Sequence, residues 1–188
     1  MLHALKQGED ALPPATERDW TTAPLDELVD HIVEKHHAYV KSETPRLQAL
    51  ITKVLGVHGK NHPELAAVAN VFSSIAHDMI SHMMKEEQIL FPYIMEMEKA
   101  ARGKGQWPRA MFGTIENPVR MMMEEHDSAG ANLRAIRELT GDYTLPADAC
   151  FSYGTLFNAL IEFERDLHQH IHLENNILFP RAIELEAR

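Results

Sequence analysis

Apolar residues recur every three or four positions along most of the chain, which is the period of an amphipathic helix and not the alternation of a strand. Glycines at 56–59, 103–105, 113 and 141, together with Pro146, separate four long segments. The segments begin near Pro24, Pro63, Pro118 and Tyr153. Four amphipathic helices joined by short loops predict an all-α, antiparallel four-helix bundle.

The 188 residues are about one ordinary domain. We expect the bundle to occupy residues 22–184 and a loose leader or linker to occupy residues 1–21. Pro45, inside the first segment, predicts a kink, because proline removes a backbone donor from a helix. Pro92 and Pro180 predict that the second and fourth helices end close to them.

Composition excludes several classes of protein. The net charge of −10 argues against nucleic acid as a partner, because binding to phosphates needs clustered Lys and Arg. A single cysteine, Cys150, leaves no disulfide framework, and we expect it to be a small buried residue near a helix start. No stretch resembles a signal peptide or a membrane span. The sequence therefore predicts a soluble, cytoplasmic protein with no membrane partner.

Polar residues replace apolar ones at six positions of the apolar stripes: His37, His82, Glu86, His126, His170 and Glu174. The second and fourth segments share a motif, HMMKEEQILFP at 82–92 and HIHLENNILFP at 170–180. Its spacing of four residues puts His and Glu on one helix face, one turn apart, so that both can reach one metal ion or two adjacent ions. A lone His precedes each motif by 45 and 44 residues, as in a duplicated helical hairpin.

The spacing of the four histidines also predicts that they lie at one level of the bundle. Two residues at equal height in an antiparallel pair are equidistant from the connecting turn. The midpoints between successive histidines fall at 59–60, 104 and 148, and each is in or beside a predicted loop. Unpaired polar groups at one level of the interior would each cost several kcal/mol, roughly 2–7. A metal site explains their presence.

Four imidazoles and two carboxylates fit two metal ions, because a bridging carboxylate counts once for each ion. The remaining coordination positions would then be open to small ligands such as dioxygen or nitric oxide. The order of residues also differs from that of ferritin-like oxidases, which carry Glu-x-x-His on two helices.

Two acidic residues lie beside the candidate ligands. Asp78 precedes His82 by one turn, and Glu125 adjoins His126. They either accept hydrogen bonds from ligand imidazoles and line an iron path, or they are ordinary solvated acids.

Other histidines are weaker candidates. His36 points about 100° away from His37 around the helix. His58 and His62 lie about 30 Å along the helix from His37, too far to join its site. His31 is expected at the surface or a helix end, and solvent exposure is expected for three more: His77, His168 and His172.

Four stretches together resemble the repair-of-iron-centres family of iron–sulfur cluster repair proteins: HMMKEEQILFP, HIHLENNILFPRA, ACFSYGTLFNAL and EEHDSAG. The likeness covers residues 16–182. It implies a hemerythrin-like bundle with two non-haem iron ions, bridged by the two carboxylates. It also implies the six residues above as the iron ligands.

The resemblance implies a stress-response protein that restores iron–sulfur clusters damaged by nitric oxide or oxidants, with iron donation as the expected route and damaged iron–sulfur proteins as partners. The alternatives are nitric oxide binding or scavenging, a hemerythrin-like oxygen carrier or sensor, and a metal-free structural bundle. Iron donation and nitric oxide chemistry need the same open, redox-active pair, so the sequence does not separate them, and it leaves open whether the protein is an enzyme.

Two features depart from related families. Many members carry an N-terminal module with adjacent cysteines, but no cysteine precedes Cys150, so the module is missing or belongs to a longer parent sequence. Gly130 stands four residues after His126, where oxygen-carrying hemerythrins place another His. One fewer histidine argues against simple oxygen storage.

Overall fold

The computed structural model describes residues 18–188, and helices make up most of that range. The α-helices are α1 (Leu25–His31), α2 (Ala38–His58), α3 (Glu64–Lys85), α4 (Phe91–Ala101), α5 (Glu116–Leu139), α6 (Phe151–Leu173) and α7 (Phe179–Glu186). Three π-helical turns join some of them: π1 (Ile32–His37), π2 (Glu86–Leu90) and π3 (Glu174–Leu178). No strand occurs within residues 18–188. Most of the expected leader, residues 1–17, lies outside the described residues.

The elements combine into four bundle helices. The first comprises α1, π1 and α2; the second α3, π2 and α4; the third is α5; the fourth comprises α6, π3 and α7. Within the bundle α2 packs against α3 and α6, and α3 packs against α5. Each of the three turns that the histidine spacing requires falls between bundle helices. The predicted all-α four-helix bundle is confirmed.

The prediction that helices end at Pro92 and Pro180 is wrong. Both prolines stand in the first turn of a further helix, α4 or α7, directly after a π turn. A π turn contains one extra residue, which moves aside the carbonyl that a proline ring would otherwise meet. The repeated Ile-Leu-Phe-Pro sequence therefore marks a change of helical geometry, and the chain continues to Ala101 and Glu186.

Pro45 lies inside α2, which continues from Ala38 to His58. The departure from α geometry in this first bundle helix is π1, which ends eight residues before Pro45. Each of the three π turns begins or ends at a candidate ligand: His37, Glu86 or Glu174. π turns are frequent at functional sites because the extra residue re-aims the side chains of one turn.

Two apolar clusters fill the bundle, one on each side of the candidate ligands. One contains Val40, Phe72, Leu133, Phe163 and their neighbours. The other contains residues toward the opposite end, including Leu28, Phe91, Val119 and Phe179. Along each bundle helix the polar candidate residues stand between the two apolar sets. The interior is therefore a polar layer between two apolar cores.

The long connection at residues 102–115 is fastened to the fourth bundle helix by one carboxylate. Glu186 of α7 accepts hydrogen bonds from Tyr93 Oη at 2.7 Å, from Thr114 Oγ1 at 2.7 Å and from the Ile115 backbone N–H at 3.0 Å. The last of these satisfies a free donor at the start of α5. Glu186 thus fixes where the third bundle helix begins. The position of His126 along the bundle follows from that start.

Candidate metal centre

The structure brings the six predicted ligands together at the level of the polar layer. Their exposed fractions lie between 0% and 2%: His37, His82, Glu86, His126, His170 and Glu174. Such a concentration of buried polar groups is costly unless every group has a partner. All four bundle helices contribute to it.

The imidazoles form two pairs that face each other through their Nε2 atoms. His37 Nε2 lies 3.1 Å from His170 Nε2, and His82 Nε2 lies 2.9 Å from His126 Nε2. We call these the His37–His170 position and the His82–His126 position. Two nitrogens bound at about 2.1 Å to one ion and about 90° apart would be about 3 Å from each other. Both separations match that arrangement.

The two carboxylates reach both positions. Glu86 Oε2 lies 3.4 Å from His37 Nε2, and Glu86 Oε1 lies 3.2 Å from His82 Nε2. Glu174 Oε1 lies 2.9 Å from His170 Nε2, and Glu174 Oε2 lies 3.1 Å from His126 Nε2.

Donor atoms that could hold one metal ion therefore form two groups, each within 4.8 Å, and both groups include Glu86 and Glu174. Each carboxylate offers one oxygen to each position, which is the geometry of a bridge.

Several of the buried oxygens have no hydrogen-bond partner within residues 18–188. Both carboxylate oxygens of Glu86 and Oε2 of Glu174 belong to this group. A buried carboxylate without donors is strongly disfavoured, and a cation satisfies it. The donor set of nitrogens and oxygens without thiolate suits a first-row transition metal. The residues present therefore fit a pair of metal ions.

The candidate ligands shift one another's pKa values. Burial lowers the pKa of His37, but its contacts with Glu174 and Glu86 and their negative charges outweigh burial and raise that pKa to about 10. Burial also lowers the pKa of His82, while Glu86 above all raises it to about 9. For Glu174, burial raises the pKa, but the charge of His170 and the imidazole hydrogen bonds hold it well below its usual value. Metal ions must displace these protons, so binding weakens as the pH falls.

Residues of the next bundle helix orient three of the four imidazoles through their Nδ1 atoms. His37 Nδ1 donates to Glu87 Oε1 at 2.7 Å, and His82 Nδ1 donates to Glu125 Oε2 at 2.8 Å. Each of these carboxylates also pairs with a lysine, Lys41 for Glu87 and Lys85 for Glu125. Such partners fix the ring tautomer and leave Nε2 free to bind metal.

The two remaining imidazoles, His126 and His170, differ in the contacts of their Nδ1 atoms. His126 Nδ1 donates to Asn175 Oδ1 at 2.8 Å. His170 Nδ1 has no hydrogen-bond partner within residues 18–188. Its neighbour from the first bundle helix is His36, which stacks on His170 with ring centroids 5.8 Å apart and turns Nδ1 to Asp166 Oδ1 at 3.0 Å. Nδ1 therefore has a hydrogen-bond acceptor in three of the imidazoles, which we call anchored. His170, the fourth, is unanchored.

Of the two acids that the sequence placed near the site, only one contacts a candidate ligand. Glu125 touches His82 and has a side chain that is 33% exposed. Asp78 is exposed and makes no hydrogen bond to a candidate ligand. Sequence reasoning missed Glu87 and Asn175. They follow Glu86 and Glu174 at the same position of the two motifs, and this repeat is the signal that could have found them.

The remaining sequence expectations have mixed outcomes. His77, His168 and His172 are exposed as expected, and His31 is partly exposed. The prediction that Cys150 is buried is wrong: it is exposed, at the N-cap position of α6, where its side chain makes no capping hydrogen bond. The adjoining Phe151 is also exposed, whereas Tyr153 in the same turn is buried, so Cys150 and Phe151 lie on the solvent side of this helix start. Among the described residues, no helix has the length and apolar character that crossing a membrane requires. The cytoplasmic location stays a prediction.

The sequence of this chain is similar to those of known proteins. Residues 28–182 match the hemerythrin HHE cation binding domain. A probable iron-sulfur cluster repair protein from Haemophilus influenzae is 40% identical over 167 residues, which are 89% of this chain and 69% of the relative. The iron-sulfur cluster repair protein YtfE from Musicola paradisiaca is 39% identical over 188 residues, covering 100% of this chain and 78% of the relative.

A third relative is the iron-sulfur cluster repair protein YtfE from Citrobacter koseri, which is 39% identical over 167 residues, 89% of this chain and 70% of the relative. The domain match spans most of the described helices, including all six candidate ligands. The chain therefore belongs to the hemerythrin HHE cation-binding family and, within it, to the iron–sulfur cluster repair proteins of the repair-of-iron-centres family.

Proposed function

We propose that the polar layer holds two iron ions, one at each position, with Glu86 and Glu174 bridging them. The observation that carries this proposal is the sharing of both carboxylates between two separate imidazole pairs. The donor set of four nitrogens and four carboxylate oxygens, with no thiolate, favours iron or manganese over a softer metal. When bound, such a pair supplies a redox-active centre with coordination positions that the protein leaves open.

The surrounding residues would prepare the site for that pair. Glu87, Glu125 and Asn175 hold the Nδ1 protons of three imidazoles, so that the Nε2 lone pairs face the interior. The apolar cores on both sides exclude bulk water and strengthen the electrostatic interactions in the layer. Gly130 contributes no side chain four residues after His126, which keeps one further donor out of the site.

We propose that the protein takes part in the repair of iron–sulfur clusters that nitric oxide or oxidants have damaged, and that it supplies iron as cargo to damaged iron–sulfur proteins. The relatives that are 38–40% identical carry the name iron-sulfur cluster repair protein, and this supports the assignment. A donor must release what it holds. The unanchored His170 supports that requirement, because it weakens one of the two positions.

Two carboxylates offer routes between the layer and solvent. Glu125 contacts His82 from a partly exposed position, and Glu87 does the same at His37 with a side chain that is 27% exposed. Carboxylates are ligands that a hard cation accepts along a path. We propose that iron leaves past these two residues, and that the exposed Asp78 takes no part.

The test is reactivation of an iron–sulfur enzyme that nitric oxide has inactivated, by the ferrous-loaded protein under anaerobic conditions. We expect activity to return, and to return faster than with the same amount of free ferrous iron and a weak chelator. Nitric oxide consumption is measured in the same preparation. Glu138→Gln changes an exposed carboxylate away from the layer, and as a control this variant should restore the enzyme as the native protein does.

Two results would contradict the proposal. If the loaded protein consumes nitric oxide but never restores the enzyme, scavenging replaces iron donation. If neither reaction occurs while two irons remain bound, the repair function itself is wrong. Metal analysis before the assay distinguishes both results from simple failure to load.

A further inference from the structure

A second group of possible metal donors lies at the far end of the bundle, about 30 Å from the polar layer at 1.5 Å per helical residue. One nitrogen of His58, one nitrogen of His62 and one carboxylate oxygen of Asp148 lie within 4.8 Å of one another. His58 ends α2, His62 lies in the turn before α3, and Asp148 comes from the connection between α5 and α6. Three separate parts of the chain therefore meet here.

Local contacts hold both imidazoles in place. The His62 backbone N–H donates to the His58 carbonyl at 2.9 Å, which closes the turn between them. Both rings pack on the buried Tyr153, with centroids 5.2 Å away for His58 and 5.6 Å away for His62. The spacing of four residues across this turn thus produces a fixed pair of imidazoles. Free histidine side chains on a surface would lack this common support.

The orientation of His62 is that of a metal ligand. Its Nδ1 lies 3.1 Å from Glu64 Oε1, and its Nε2 lies 2.9 Å from Asp148 Oδ1. If Nδ1–H donates to Glu64, Nε2 presents its lone pair toward the Asp148 carboxylate. Two lone pairs that close to each other need a proton or a cation between them. The same carboxylate–histidine arrangement orients His37 and His82 in the polar layer.

His58 also has a ring nitrogen without a partner among the described residues. His58 Nε2 is buried and makes no hydrogen bond within residues 18–188. The His62 and Asp148 side chains are 16% and 52% exposed, so an ion can reach the group from solvent. Two imidazoles with one carboxylate select a transition metal, because magnesium and calcium prefer oxygen donors alone.

We propose that His58, His62 and Asp148 form a second metal site that binds one divalent first-row transition-metal ion of the zinc type, with Glu64 orienting His62. Three protein ligands leave one position of a tetrahedral ion to water. The site is independent of the iron pair, so it stands even if the proposed repair function fails. Its partial exposure makes it an exchangeable site, in contrast to the fully buried layer.

The test uses the full chain with its polar layer already loaded with iron, and Co²⁺ as the probe. Titration with Co²⁺ is expected to give one added equivalent with the visible absorption of a tetrahedral ion, unaffected by excess Mg²⁺. Asp148→Asn and His62→Ala are expected to abolish that equivalent, and Glu64→Ala to weaken it by about 10- to 100-fold. His77→Ala, an exposed histidine on α3, serves as the control and should bind as the native chain does.

Iron content and helicity are measured for every variant, so that loss of fold or displacement of iron is recognised directly. Asp148→Asn keeps the size of the side chain and guards against an unfolded His62→Ala. Equal Co²⁺ uptake by the native chain and by Asp148→Asn would overturn the proposal, as would the absence of an added equivalent in the native chain.

Discussion

The two candidate metal positions differ in how their imidazoles are held, although they arise from a duplicated sequence. At the His82–His126 position both rings donate through Nδ1, to Glu125 and Asn175. At the His37–His170 position only His37 does so, to Glu87. The duplicated ligands therefore do not form two equivalent positions, because the residues that contact the Nδ1 atoms of the imidazoles have diverged.

The divergence can be traced to one pair of equivalent residues. Glu125 precedes His126 in the third bundle helix, and His36 precedes His37 in the first. Glu125 accepts a hydrogen bond from His82, whereas His36 stacks on His170 and turns to Asp166. An aromatic ring in place of a carboxylate leaves the fourth imidazole without an acceptor. We expect the ion at the His37–His170 position to be released first.

The largest effect should come from a residue that both positions share. Glu174→Ala removes a carboxylate that belongs to both donor groups, so we expect the iron content to fall from close to two ions per chain to below one. Metal analysis after anaerobic loading measures this, with Glu138→Gln as the control. Retention of one fully occupied ion would show that the carboxylate is not shared.

The comparison between positions is tested by removing one histidine from each. His37→Ala leaves the anchored His82–His126 position, and His82→Ala leaves the position that contains the unanchored His170. We expect a competing chelator to remove the remaining ion about 10- to 100-fold faster from His82→Ala, because one imidazole there lacks an outer partner. Equal rates, or faster loss from His37→Ala, would refute the inequality.

A smaller effect on ion release is expected from changing the residue that accepts the hydrogen bond of His82 Nδ1. Glu125→Ala removes the acceptor of His82 Nδ1. It should speed ion release from the anchored position by about tenfold, because loss of this acceptor outweighs loss of one of the two carboxylates on the proposed path. Asp78→Ala is the matched control, because this acid is exposed. Chelator competition followed by stopped-flow absorbance gives both rates. A change of the same size in Asp78→Ala would mean that general surface charge, and not the contact with His82, governs release.

The smallest effect should come from supplying the missing contact. In His36→Gln the amide oxygen can accept from His170 Nδ1 while the amide N–H₂ donates to Asp166. We expect release from the His37–His170 position to slow by about fivefold, the equivalent of one neutral hydrogen bond of about 1 kcal/mol. Unchanged or faster release in a variant of normal helicity would indicate that His36 does not limit the hold on His170.

The sequence was sufficient for the helices and for the level of the candidate ligands, because periodicity and distance from a turn are properties of the chain alone. The π turns could not be predicted from proline rules that assume α geometry, and so Pro92 and Pro180 were misplaced as helix ends. The repeated motif could have identified Glu87 and Asn175 as equivalent residues, but the imidazole that each one contacts depends on which bundle helices are neighbours, which the spacing does not specify. The exposure of Cys150 depends on which side of the first turn of α6 faces the core, and that is set by the packing of Tyr153.

The polar layer divides the interior into two apolar halves, so the stability of the whole fold depends on whether ions are bound in that layer. Ions that bind only the folded chain raise its free energy of unfolding by RT ln(1 + c/Kd), where c is the free ion concentration. A copy without bound ions would keep buried carboxylates that only protons neutralise, and we expect it to open more often than a loaded copy. Because proteases act on opened chains, we expect copies without bound ions to be degraded faster than loaded copies.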